Sequence, residues 1–217
     1  VLVLAVDTAT SAVIAGLARL PIAGEPQLLA ERVTVTARGH GELLMPSVCE
    51  VMTSAGVLLR DVDAVVCGAG PGPFTGLRVG MVTAAALGDA LGVPVYPVCS
   101  LDAIAHRAGA GSSLLVITDA RRREVYWARY DDAGVRVDGP HVDRPVDLPL
   151  AVVSRVVGAA GVLELPVAPP RHPDPAALVA VAVPALRSHA PPGPLTPLYL
   201  RRPDAVTPGP AKRVTPA

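Results

Sequence analysis

GAGPGPFTGLRVG, residues 68–80, follows the apolar run VDAVVC and opens into a long apolar stretch, MVTAAALGDALG. The first run reads as a buried strand and the last as a helix, so the unit is strand, glycine-rich turn, helix, which points to an α/β fold. Such a turn can cradle phosphate, because glycine lets backbone N–H groups approach an anion at a helix N-terminus. The residues equip it poorly for that task. A Walker loop needs Lys and Ser/Thr directly after its last glycine, and neither is present. The GxGxxG spacing also fails, since Gly68-Ala69-Gly70 runs into Pro73 where the third glycine belongs. Pro71 and Pro73 each remove a donor. A rigid turn capped by Thr75 is the more economical reading, with Gly70 and Gly72 as candidates for a vestigial nucleotide loop.

The flanking segments extend the pattern. VLVLAVD (1–7), SAVIAGLARL (11–20) and QLLAERVTVT (27–36) read as three tightly joined strands of an antiparallel meander. HGELLMPSVCEVMTSAG (40–56) has helical spacing with Gly56 as C-cap, and Pro46 requires either a start later than His40 or a kink. After the loop come a helix from about Thr75 to Leu91, a strand VPVYPV (93–98), and a helix SLDAIAHRAG (100–109) with Ser100 as N-cap. SLLVITDA (113–120) and EVYWARYDD (124–132) read as a hairpin. Most of the 24 prolines lie beyond Gly139, where helical signal survives at 174–190 and VVSRVVGAAG (152–161) could form a strand. The order specifies an α/β architecture whose sheets mix antiparallel and parallel pairs.

Two helices carry a further signal. Leu44, Val48, Val51, Met52 and Ala55 share one face of helix 40–56. In helix 75–91, Gly76, Gly80, Ala84 and Gly88 recur every four residues and form a flat stripe, while the only charges are Arg78 and Asp89. A helix apolar on most of its circumference must be covered on two sides, and its own sheet covers one. Enclosure by a second lobe is one solution. A subunit interface through Leu44, Val48, Met52, Gly76, Gly80, Ala84 and Gly88 is the sharper one.

Other chemistry is sparse. Asp7 ends the first strand above the turn TATS, a position from which sugar-kinase-like and actin-like ATPases hold magnesium and phosphate. The glycine expected in that turn is absent, so capping of its own turn is an equal reading. The five histidines form no HxxxH or HExxH pair, and no GxSxG elbow occurs. Arg121, Arg122 and Arg123 stand beside Tyr126, Trp127 and Tyr130, a constellation that could contact RNA or form a solvated hairpin turn. The formal net charge of zero supplies no field towards nucleic acid or anionic membranes. Cys49, Cys67 and Cys99 lack metal-site or CxxC spacing and read as buried free thiols. With 217 residues, 51% of them hydrophobic, the chain can build one large domain or two small ones. The N-terminal residues lack a signal-peptide pattern and no apolar run reaches membrane-spanning length, so a cytoplasmic protein with no membrane contact is expected.

Taken in order, LAVDTATSA, GHGELLMP, GAGPGPFTGLRVG, GVPVYPVCSLDAIA, DARRREVYWARY and PLYLRRPDA resemble the TsaB family. The resemblance covers about residues 2–130 and the PLYLRR segment. It implies an actin-like (ASKHA, RNase H-like) two-lobe fold with a reduced second lobe. The division expected is 1–109 for the first lobe, 110–203 for the second and 204–217 for a disordered tail. It further implies a subunit for making threonylcarbamoyladenosine beside the tRNA anticodon. The implied partners are TsaD, through the two helices matching 40–56 and 75–91, and TsaE, with a homodimer when alone and tRNA met through the complex. TsaD carries an HxxxH metal pair after a strand like VPVYPV, where this chain has Ser100 and Ile104. Neither replaces a histidine ligand, so no metal, no cofactor and no catalysis are expected. The alternative is an active ATPase or glycoprotease-like enzyme of the same fold.

Overall fold

A computed structural model describes residues 1–159, 161 and 167–201. The expected tail, 204–217, lies outside them. The chain forms two mixed sheets. Strands β1 (Leu2–Asp7), β2 (Ala12–Arg19), β3 (Gln27–Val35), β4 (Ala64–Gly68) and β5 (Val95–Val98) make the first, in the order β3-β2-β1-β4-β5. The meander β1–β3 is antiparallel, whereas β4 runs parallel to both β1 and β5. β1, β2 and β4 are almost wholly buried, which explains why they read as continuous apolar runs rather than alternating ones.

Helices α1 (His40–Ala55) and α2 (Phe74–Leu91) cover one face of this sheet. There Leu44, Val48, Val51, Met52, Leu77, Met81 and Ala84 pack with Leu4, Val6, Val13 and Val65. α1 starts at His40 and carries Pro46 inside it. The carbonyl that this proline leaves unpaired belongs to Glu42, which is exposed to solvent. Gly56 is the left-handed C-cap the sequence predicts.

The second sheet has the order β8-β7-β6-β9, from β6 (Leu114–Asp119), β7 (Val125–Tyr130), β8 (Arg136–Asp143) and β9 (Arg155–Ala159). β8 is not predicted from the sequence. Its Gly139-Pro140 step reads as loop, and proline is tolerated because the strand lies at the sheet edge. α3 (Ser100–Ala108) joins the sheets and packs Leu101 and Ile104 against Leu114, Val116 and Tyr130.

The last helix, α4 (Pro175–Ser188), belongs by sequence to the expected second lobe, but it packs on the first sheet. Its Ala177, Leu178, Val179, Ala182 and Leu186 cover Val3, Ala5, Ile14 and Val66, the face that α1 and α2 leave open. A sheet buried on both sides needs helices on both, and α4 supplies most of the second layer, with Ala103 of α3 beside it. The chain then returns as an extended strap. Leu198 N–H donates to Ala69 O at 2.9 Å, and Arg201 bonds Ala120 O and pairs with Glu124, so the strap ties both sheets to the glycine loop.

Candidate functional site

The glycine loop closes on the protein itself. Ala69 N–H donates to Val98 O and Ser100 N–H to Gly70 O, each at 2.7 Å, and Tyr126 O–H reaches Gly72 O at 3.4 Å. A Cβ on Gly72 would collide with the backbone of Ala9, in the turn after β1. The space a phosphate would take is therefore filled by that turn. The helix start differs from expectation too: Pro73 is the N-cap of α2, and neither Thr75 nor any other side chain caps it.

Asp7 is equally committed. It is fully buried, its Oδ1 accepts the Ala9 N–H at 2.7 Å, and its Oδ2 accepts the Ser100 hydroxyl at 2.5 Å. The sequence assigns Ser100 to capping its helix; instead Cys99 takes the N-cap position and Ser100 anchors Asp7. Ile104, one helical turn on, is fully buried in the apolar cluster beneath the second sheet. Burial raises the Asp7 carboxyl above its ordinary 3.8, opposed by the hydrogen bonds from Ser100 and Ala9. A raised carboxyl contributes fully to stability below about pH 3.8 and loses that contribution as pH rises through the folded-state value. Asp7→Asn keeps the acceptor for Ala9, can donate to Ser100, and removes the buried charge. Urea unfolding should therefore show no gain from this variant in acid and a gain that grows towards neutral pH. A stability difference independent of pH would mean that the carboxyl is not held up by burial.

The small-residue stripe of α2 faces inward, which corrects the interface assignment. A Cβ on Gly80 would stand 2.5 Å from Thr8 Oγ1, one on Gly76 2.8 Å from Thr8 O, and one on Gly88 would meet Val95. Ala84 is fully buried. The Gly80 N–H donates to Thr8 Oγ1 at 2.8 Å, and that hydroxyl donates to Gly76 O at 2.7 Å. Leu44, Val48 and Met52 likewise lie in this chain's own core. Small residues mark the side where backbone approaches backbone most closely, and here that side is the sheet. What α1 and α2 leave outside is a different set, with Met45, Cys49, Phe74, Val82, Ala86 and Ala90 among its apolar members, Val82 66% exposed, and Glu42, Glu50, Arg78 and Asp89 among its charges. Cys49 is thus exposed, contrary to the reading of three buried thiols. Burial pushes the Cys99 thiol up to about 12 and raises that of Cys67 as well, so both are poor nucleophiles.

Arg121, Arg122 and Arg123 form the β6–β7 turn and are exposed, with positive φ values of 67°, 50° and 64°. Their aromatic neighbours are not available to nucleobases. Tyr126, Trp127 and Tyr130 are buried, and Trp127 Nε1–H and Tyr130 O–H are engaged by Asp143 and Asp102 at 2.8 Å. The stacking half of the RNA-contact constellation is therefore absent.

Between the two sheets lies a cavity of about 820 Å³, bounded by the turn after β1, the first turns of α1 and α2, the end of β6 and the β6–β7 turn. His40 is on its wall, with Nε2 3.0 Å from Thr10 O. No sequence signal marks this cavity, because its walls come from six separated segments.

Two mixed sheets joined at a cleft, with an acidic residue closing the first strand beneath it, define the actin-like class of α/β proteins. The solved structure of YeaZ from Pseudomonas aeruginosa superposes with a TM-score of 0.75 at 27% identity, covering 92% of this chain and 99% of that one. The family model for TsaD, tRNA N6-adenosine threonylcarbamoyltransferase, matches residues 30–157, more than half of the chain. The tRNA threonylcarbamoyladenosine biosynthesis protein TsaB of Escherichia coli is 33% identical over 138 residues, which cover 61% of this chain and 57% of that protein. An uncharacterised protein of Mycobacterium tuberculosis is 52% identical over 94% of this chain and 93% of its own length. The chain belongs to the TsaB family, within the TsaD superfamily. Among the described residues no helix is long and apolar enough to cross a membrane.

Proposed function

We propose that this protein takes part in tRNA threonylcarbamoyladenosine biosynthesis as a non-catalytic subunit that pairs with TsaD and works with TsaE. The family supports the pathway. The observation that carries the non-catalytic role is the closure of the glycine loop on the β1–β2 turn, with both Asp7 oxygens held by Ala9 and Ser100. An ATPase of this fold needs that space for phosphate and that carboxylate for a metal. Ser100 and Ile104 are spent on Asp7 and on the core, and neither side chain is a competent metal ligand. Chemistry then falls to the partner, and this chain supplies a docking surface, the outward side of α1 and α2. Localisation in the cytoplasm follows from a tRNA substrate.

A reconstituted modification assay tests this reading. TsaD and TsaE from the same organism, with tRNA and the activated threonylcarbamoyl donor, should form product only when this chain is added. The chain alone should hydrolyse no ATP and cleave no glycoprotein, with or without divalent metal. Full product without this chain, or metal-dependent turnover abolished by Asp7→Ala, would overturn the proposal, the latter in favour of an active enzyme.

A further inference from the structure

The β6–β7 turn holds its shape against the preferences of its own residues. Arg121 O accepts the Glu124 N–H at 3.0 Å, closing a tight turn whose central residues, Arg122 and Arg123, have φ of 50° and 64°. With both central residues left-handed this is a type I′ turn, the geometry that Asn-Gly fills best. Arg121 is left-handed as well, at 67°. For a residue with a Cβ this region is unfavourable, because the Cβ crowds the following carbonyl oxygen. Successive residues of this kind persist only where their surroundings over-determine them, and such strain collects at functional positions.

The turn is braced from both sides. Asp119 Oδ1 accepts the Arg121 N–H at 2.8 Å, and the Ala120 N–H donates to Glu124 O at 3.0 Å. From the C-terminal strap, Arg201 donates to Ala120 O at 2.9 Å and pairs with Glu124 at 3.3 Å, so it grips both shoulders of the turn. The brace also sorts the charge. Glu124 is neutralised by Arg201, and Asp119 is turned to the backbone, while Arg121, Arg122 and Arg123 all stay exposed. Among the described residues the guanidinium groups of Arg121 and Arg123 have no partner. Arg38 and Arg171 reach the cavity rim that Arg121 also lines, beside Glu42, and extend the cationic surface past the turn.

We infer that this turn contacts the sugar–phosphate backbone of RNA, without regard to base sequence. The surroundings decide the class of ligand. A small anion needs a concavity that encloses it, and the tip of a hairpin offers none. Base reading needs open aromatic faces, and Tyr126, Trp127 and Tyr130 are buried. What is left is a fan of arginines on a fixed backbone, suited to a chain of phosphates that each guanidinium can meet with paired N–H donors. The chain as a whole is neutral, so the affinity comes from these local charges and falls steeply with salt. The choice of RNA over DNA rests on the tRNA pathway proposed above; the strain and the charge do not.

The test is fluorescence anisotropy of the intact protein with labelled tRNA, from about 50 mM salt upwards. Wild type should bind. Arg122→Asn with Arg123→Gly removes two charges and supplies the residues the turn prefers. This double variant should melt about 4 °C or more above wild type. It should nevertheless bind tRNA at least tenfold more weakly, with a salt slope shallower by roughly two. Arg122→Lys with Arg123→Lys keeps the charge and should stay within about threefold of wild type. A merely structural turn would gain stability from the first double variant and lose no binding. Absence of tRNA binding by wild type, undiminished binding by the first double variant, or no gain in its melting temperature would each overturn the inference. Poly-glutamate bound as tightly as tRNA would overturn it too, and assign the turn to an acidic protein segment. No step here involves TsaD or product formation. Failure of this inference therefore shows in the anisotropy and leaves the modification assay unaffected, whereas failure of the proposed function shows in that assay alone.

Discussion

Gly80→Leu should destabilise the isolated chain severely. Even a bare Cβ at this position would stand 2.5 Å from Thr8 Oγ1, and the three further carbons of leucine have nowhere to go between α2 and β1. The helix must lift off the sheet. That movement breaks the bond from Gly80 N–H to Thr8 Oγ1 and loosens Leu77, Met81 and Ala84, all of which sit in the first core. Overpacking costs about 1–3 kcal/mol, and the broken hydrogen bond adds about 1 kcal/mol. For a chain of this size a total near 3 kcal/mol lowers the melting temperature by roughly 6–12 °C. A scanning melt of the purified variant measures it. A Gly80→Leu protein that melts with wild type but fails to bind TsaD would restore the stripe to the subunit interface and refute the inward assignment.

Val82, two positions along the same helix, should behave in the opposite way. It is 66% exposed and contributes little to the core, so Val82→Asp should leave the melting temperature within experimental scatter. If TsaD docks on the outward side of α1 and α2, the new carboxylate is stranded in an apolar contact. Central contacts of an interface cost 2 kcal/mol or more when disrupted, so association should weaken by roughly thirtyfold or beyond. Pull-down or calorimetry with TsaD reads this directly, and Ala86→Asp should reproduce it. Undiminished binding by both variants would move the docking surface off these helices.

The contrast between Gly80 and Val82 shows where sequence reasoning reaches its limit. The strand–loop–helix unit at 64–91, the meander and the helix at 40–55 are legible because each has a period and a terminator: buried runs for β1, β2 and β4, and the left-handed Gly56 at the end of α1. A helical wheel also shows that α2 is apolar nearly all round. It cannot show which apolar side is inside, since glycine serves close approach to a sheet and to a partner equally well. The failure at Ser100 has a similar cause. A serine at a helix start reads as a local cap, and only the parallel pairing of β1 with β4 and of β4 with β5 brings Asp7 within its reach. β8 escaped because Gly139-Pro140 breaks the alternation. The cavity escaped because nothing local links Arg38, Thr118 and Arg171.

The placement of α4 bears on how the molecule is made. All five strands of the first sheet have left the ribosome once Val98 has, and α1 and α2 can then settle on one side of it. The opposite side, formed by Val3, Ala5, Ile14 and Val66, waits for a helix that ends at Ser188. Throughout the synthesis of the second sheet, the nascent chain therefore displays an oily surface that α4 covers only later. Exposed surface of this kind is where chaperones engage and where aggregation begins. A ribosome stalled before α4 emerges would carry a half-clad sheet, and the emergence of α4 becomes the step that completes the burial of the first sheet.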